Sequence, residues 1–84
     1  MKLNEIENNK FYYISFQYSY DNFFDGIVKS IRKDKDDTND DDYIFCEIVR
    51  FNKSSNWKIG HEFYIKPENF HKNISEQDDP EYFI

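Results

Sequence analysis

The side chains able to do chemistry are few, and most are crowded into one stretch. Residues 34–42 read DKDDTNDDD, six aspartates in nine positions. Oxygen-rich runs of this kind can ligate hard cations. The relevant template is the calcium loop, with side-chain ligands at positions 1, 3 and 5, glycine at 6 and a bidentate glutamate at 12. A start at Asp36 places Thr38, Asp40 and Glu47 at positions 3, 5 and 12. Position 6 is then Asp41, and Glu47 falls inside an alternating hydrophobic segment. A start at Asp34 puts Phe45, which has no ligand oxygen, at position 12. The simpler reading is a solvated hairpin loop held open by self-repulsion, with no metal bound.

His61, Glu62, His71 and Cys46 complete the inventory for metal or nucleophile chemistry. His61-Glu62 opens like the zinc-protease motif, but Ile65 stands where its second histidine belongs. Cys46 has no CxxC partner and lies among apolar residues, where a buried structural thiol is the ordinary reading. Two glycines in the whole chain leave no material for a phosphate-cradling loop. A non-enzymatic protein without cofactors is expected.

Charge divides the chain. Residues 34–42 and 76–84 hold 10 of the 17 acids and one base, Lys35. The rest carries 7 acids and 10 bases, so a mildly basic body bears two acidic segments, for a total charge of −6. The body interleaves Lys29, Arg32, Lys33, Arg50, Lys53, Lys58, Lys66 and Lys72 with Tyr and Phe, a pattern compatible with stacking on bases and contact with phosphates. Against this, the acidic segments repel the same phosphate backbone.

The elements that must position these groups read as strands. In 84 residues there are 9 Phe, 7 Tyr, 1 Trp and no alanine, so rings must supply most of the buried area of a single small domain. Tyr12, Ile14, Phe16, Tyr18 and Tyr20 alternate with polar residues over 11–20, the period of a half-buried strand. A turn at Asp21-Asn22 leads to a second strand over 24–33. There Val28 and Ile31 share a face only if a bulge intervenes, and Gly26 is a natural place for a bend. The third strand, 43–51, is apolar on both faces and belongs mid-sheet. A polar turn over 52–56 precedes a fourth strand over 62–66, which Pro67 ends. Residues 67–70 suit a 3₁₀ turn that seats Phe70 on the core, and Ile74 adds a last short strand.

The predicted fold is mainly β: a small, strongly bent, antiparallel barrel of four or five strands with a 3₁₀ turn. Residues 1–10 form a lead-in, 11–75 the domain and 76–84 an acidic tail. The order resembles SH3-like small barrels, with a G-x-V-x-x-I strand (Gly26, Val28, Ile31), a hairpin partner, a glycine-led strand (IGHEFYI) and the PENF turn. A lone cysteine points to a reducing cytoplasm. No leader and no apolar run of roughly 18 residues points to a membrane.

The leading functional expectation is a protein-binding module, an inhibitor that occupies a basic surface of its partner as a nucleic-acid mimic would. Asp34, Asp36, Asp37, Asp40, Asp41 and Asp42 supply charge. Tyr18, Tyr20, Trp57 and Tyr64 supply contact area where they are exposed. With 9 Asn, 9 Lys and 10 Ile, the chain is similar in style to phage-encoded anti-CRISPR and anti-restriction inhibitors, which implies a nucleic-acid-binding host defence protein as partner. The alternative is a nucleic-acid-associated small barrel working through its basic, aromatic body. A homodimer through an exposed strand is a third reading.

Overall fold

The computed structural model describes residues 1–35 and 41–74. They form five antiparallel strands, β1 (Phe11–Ser19), β2 (Asn22–Lys35), β3 (Asp42–Ser54), β4 (Glu62–Ile65) and β5 (Phe70–Ile74), with 3₁₀ turns at Leu3–Glu5 and Pro67–Asn69. The sheet order is β4-β3-β2-β1-β5, so β1 to β4 meander and β5 returns to pair with β1. The alternation in β1 is honoured as far as Phe16: Tyr12, Ile14 and Phe16 are buried, while Tyr18 and Tyr20 run out past the end of the core. Pro67 ends β4 by starting the second 3₁₀ turn, and Phe70, immediately after that turn, is fully buried. No helix among the described residues is long and apolar enough to cross a membrane.

β2 is long and interrupted. Its ladder with β3 slips at Asp25/Gly26, Ile27/Val28 and Ser30/Arg32, which bends the hairpin and accounts for the broken parity of the sequence. Gly26 allows the first slip. A Cβ there would stand 2.3 Å from the Arg50 carbonyl oxygen and 2.5 Å from the Phe51 Cα. β3 is central, as its two apolar faces require: Ile44, Cys46 and Ile48 are buried, and Tyr43, Phe45 and Val49 half-cover the opposite face.

The bending shows in the core. Phe63 on edge strand β4 packs edge-on against Phe16 of β1, with ring centroids 6.0 Å apart, although β3 and β2 lie between them in the sheet. Three strand spacings in a flat sheet would separate them by roughly 14 Å. Phe24 lies between, 5.6 Å from Phe63 and 6.1 Å from Phe16. Tyr12 meets Phe70 edge-on at 5.5 Å. The sheet is therefore strongly curled over one aromatic core. It is not closed by hydrogen bonds, because no ladder joins β4 to β5 among the described residues.

The lead-in belongs to the core more than its composition suggests. Ile6 is buried in the main cluster, and Leu3 and Met1 pack against it. Ser30, the single buried polar residue described, ties this segment to β2: its hydroxyl donates to the Glu7 carbonyl oxygen and accepts from the Lys10 N–H at 3.2 Å. Asn9 takes the tight left-handed turn, at φ 61°, that brings the chain into β1.

Candidate functional site

Cross-strand pairing assembles a surface on the face of β2, β3 and β4 that points away from the core. Arg32, Phe45 and Tyr64 stand directly opposite one another across the three strands. The Arg32 guanidinium lies 4.3 Å from the centre of the Phe45 ring, and the Phe45 and Tyr64 rings are 4.8 Å apart. Arg32 also donates from Nε to Asp34 Oδ2 at 2.8 Å and from Nη2 to the Tyr64 hydroxyl at 3.1 Å. The bond to Asp34 holds the guanidinium proton more firmly and raises the Arg32 pKa, against a smaller desolvation effect. In the next row Tyr43 pairs with Asp34, and the Lys66 ammonium sits 6.0 Å over the Tyr43 ring. Asp34, Lys35, Tyr43 and Tyr64 line an open groove of about 430 Å³.

The acidic segment is narrower than its composition implied. Asp34 and Lys35 belong to β2 and Asp42 to β3, while Asp36, Asp37 and Asp40 lie outside the described residues, as does the tail over 76–84. At the described end of the hairpin each acid has a base beside it. Asp34 bonds Arg32, Asp41 pairs with Lys66 at 3.7 Å, and Asp42 stands opposite Lys35 in the ladder. The rim is charge-balanced where it meets the sheet. Arg32 and Lys35 supply the balance from within β2, and Lys66 from beyond β4.

Of the ten residues expected to bind a partner, the seven that are described fall into two groups at opposite ends of β2. Asp34 and Tyr64 meet in the groove, and Asp41 and Asp42 line a separate pocket at the same end of the hairpin. Tyr18, Tyr20 and Trp57 lie at the other end, by the β1–β2 turn. Tyr20 is 89% exposed and Tyr18 60%. The Tyr18 ring nevertheless stacks on Phe16 at 4.8 Å, and its hydroxyl accepts from Asn69 at 3.0 Å. Trp57 is half-buried, packed against Phe63 at 5.0 Å, with its indole N–H directed to Asn22 Oδ1 at 3.4 Å. Trp57 works as a lid on the core. The calcium-loop ligands Asp36, Thr38 and Asp40 lie outside the described residues, and the fourth, Glu47, sits in β3 opposite Lys29 and Glu62.

The remaining candidates for chemistry are scattered. Cys46 is fully buried, and burial raises its thiol pKa far above the ordinary value, so the thiol stays protonated. His61 is exposed, with Nδ1 accepting from the Lys58 N–H at 3.1 Å. His71 lies 2.7 Å from Ser15 Oγ through Nε2, a pairing that no sequence spacing announced. The nearby carboxylate, Asp25, is engaged instead by the Tyr13 hydroxyl and by Asn52 at 3.4 Å. Among the described residues no acid bonds His71 as the third member that nucleophilic catalysis uses. Among the described residues no three His, Cys, Asp or Glu side chains stand close enough to share a metal ion.

Tyr43 and Phe45 are the site residues that sequence reasoning missed, and Arg32 and Lys66 entered it only as members of the basic body. The second apolar face of β3 was the available signal for Tyr43 and Phe45. Nothing local signals Arg32, whose orientation depends on the last bulge of β2. Comparison with protein-family models, with curated proteins and with solved structures finds no match in any of the three.

Proposed function

We propose that the chain is a non-enzymatic binding module that docks the β2–β3 end of its sheet onto a basic surface of a partner protein. The observation behind this is the adjacency of charge and contact area. Asp34 lines the groove with Tyr43 and Tyr64, the Tyr64 ring lies 4.8 Å from Phe45, and Asp41 and Asp42 line a separate pocket with Lys66 and Glu68. Rings supply area that is desolvated on contact, and Asp36, Asp37 and Asp40, next in sequence to the charge-balanced rim, supply the charge that steers a cationic partner. A net charge of −6 attracts such a partner from a distance.

A module of this kind inhibits whatever uses the covered surface, and a basic surface ordinarily serves a phosphate chain. An inhibitor of a nucleic-acid-binding defence protein fits that description. The strand order, with a 3₁₀ turn between β4 and β5, supports reading the curled sheet as an SH3-like small barrel. The unpaired, buried Cys46 supports a reducing, cytoplasmic setting.

The second reading is a nucleic-acid-associated barrel, favoured by the guanidinium of Arg32 lying over Phe45 beside Tyr64, a surface on which bases stack. Replacing Asp36, Asp37, Asp40, Asp41 and Asp42 together by Asn separates the two. Affinity for a cationic peptide, measured by calorimetry, falls at least about tenfold, with a flatter salt dependence, under the protein-binding reading. Under the nucleic-acid reading affinity for single-stranded DNA or RNA rises instead. If neither changes, the acids serve only solubility and the leading reading is wrong.

A further inference from the structure

We infer that the groove between Tyr43 and Tyr64 is an arginine-selective anchor that takes one guanidinium side chain from the partner protein. The inference rests on the protein-binding reading above and deepens it.

The chain already holds one guanidinium on this surface. Arg32 uses a ring face, a carboxylate oxygen and a phenol oxygen: Phe45 at 4.3 Å, Asp34 Oδ2 at 2.8 Å and the Tyr64 hydroxyl at 3.1 Å. The groove beside it offers the same three elements again. Tyr43, Tyr64 and Asp34 line it, and the Arg32 bond engages only Oδ2 of that carboxylate. Tyr64 is 51% exposed, and the Asp34 carboxylate is still open to solvent. At about 430 Å³ the groove accommodates a planar side chain.

A guanidinium is planar, weakly hydrated and able to stack and donate at once, which matches ring walls with a carboxylate between them. An ammonium is a compact, strongly hydrated point charge that gains less from flat walls. A nucleotide would find the stacking surface but would meet Asp34 and a chain of net charge −6. Lys35 also lines the groove, and Asp42 opposite it in the ladder offsets its repulsion of an incoming cation.

Calorimetric titration with hexa-arginine, hexa-lysine and an oligo-thymidine of equal length tests the inference. Hexa-arginine is expected to bind about fivefold or more tightly than hexa-lysine. Tyr64→Leu and Asp34→Asn should bring that ratio close to one by lowering the hexa-arginine affinity more than the hexa-lysine affinity, and Tyr64→Phe, which keeps the ring, should retain most of it. Thermal melting of each variant checks that it folds. Substitution of the five loop aspartates should weaken both peptides alike. Equal binding of the two peptides, or a preference that survives Tyr64→Leu, overturns the arginine anchor and leaves the acidic docking surface standing. Binding of neither peptide overturns both, as does oligo-thymidine binding that Tyr64→Leu abolishes.

Discussion

Arg32 and Phe45 face each other across β2 and β3, the guanidinium carbon 4.3 Å from the ring centre, because Ile31 is an extra residue in the ladder. Ser30 pairs with Cys46 and Arg32 with Phe45, leaving Ile31 without a partner of its own. In a regular strand Ile31 would oppose Phe45, and Arg32 would stand on the core side beside Ile44. With the bulge, the exposed Lys33 stands opposite Ile44 instead, and Arg32 reaches Phe45, Tyr64 and Asp34.

The Arg32–Phe45 pair should be measurable as a coupling. A double-mutant cycle of Arg32→Ala and Phe45→Leu in urea denaturation is expected to give about 0.5–1 kcal/mol, the range of exposed cation–ring contacts. A coupling near zero would mean that the two side chains only happen to adjoin.

Gly26→Ala should be among the most damaging single substitutions in the chain. The new Cβ would lie 2.3 Å from a backbone oxygen and 2.5 Å from a Cα, atoms that cannot swing aside as a side chain does. Overpacking of this kind costs roughly 1–3 kcal/mol or more. Gly60→Ala meets no neighbour, and its cost comes only from a φ of 92°, about 1 kcal/mol. Urea midpoints ordered the other way would contradict the β2 geometry.

Ser30→Ala tests the attachment of the first ten residues. It removes the hydroxyl that receives the Lys10 N–H and donates to the Glu7 carbonyl, so both lose a partner at a part-buried site. A loss of about 1–3 kcal/mol is expected, together with faster amide exchange at Asn9 and Lys10. Unchanged exchange there would show that Ile6 packing alone holds the segment.

Cys46 gives a pH prediction. Its folded pKa is raised by burial, whereas the unfolded thiol titrates near 9.0. Above that pH the unfolded state loses a proton that the folded state keeps, so stability falls as pH rises, by about 1.4 kcal/mol per unit for this group. Below pH 8 the effect vanishes. The difference in stability between the native chain and Cys46→Ala should therefore narrow from pH 8 to pH 10, which cancels the alkaline titration of Tyr and Lys common to both. The native thiol should also resist aromatic disulfide reagents until urea exposes it. Rapid labelling at neutral pH without urea would count against the buried position.

What could be read beforehand was local. Pro67, with Phe70 three residues on, announced a turn and a core contact. Gly26 beside a parity break announced a bulge, and the two-faced run around Cys46 announced a central strand. Each of those signals sits within a few residues of the feature it marks. The groove is different in kind, since Asp34, Tyr43 and Tyr64 converge only after three strands pair in one register. That register depends on a bulge at Ile31, which the parity break from Val28 to Ile31 called for without giving its place. The burial of Trp57 likewise depends on where Phe63 arrives, and the regular alternation through Tyr18 and Tyr20 says nothing about where the core stops.

The β1–β5 ladder, which sets Phe11 opposite Ile74, makes the finished sheet depend on chain that a ribosome supplies late. Until Phe70 emerges, β1 offers an unsatisfied row of amides and carbonyls, and the cavity meant for that ring stands open beside Tyr12. A nascent chain stalled in the fourth strand would thus be a sticky intermediate, prone to pairing with its neighbours on a polysome. Acidic residues already synthesised ahead of that point, between the second and third strands, would help to hold such chains apart.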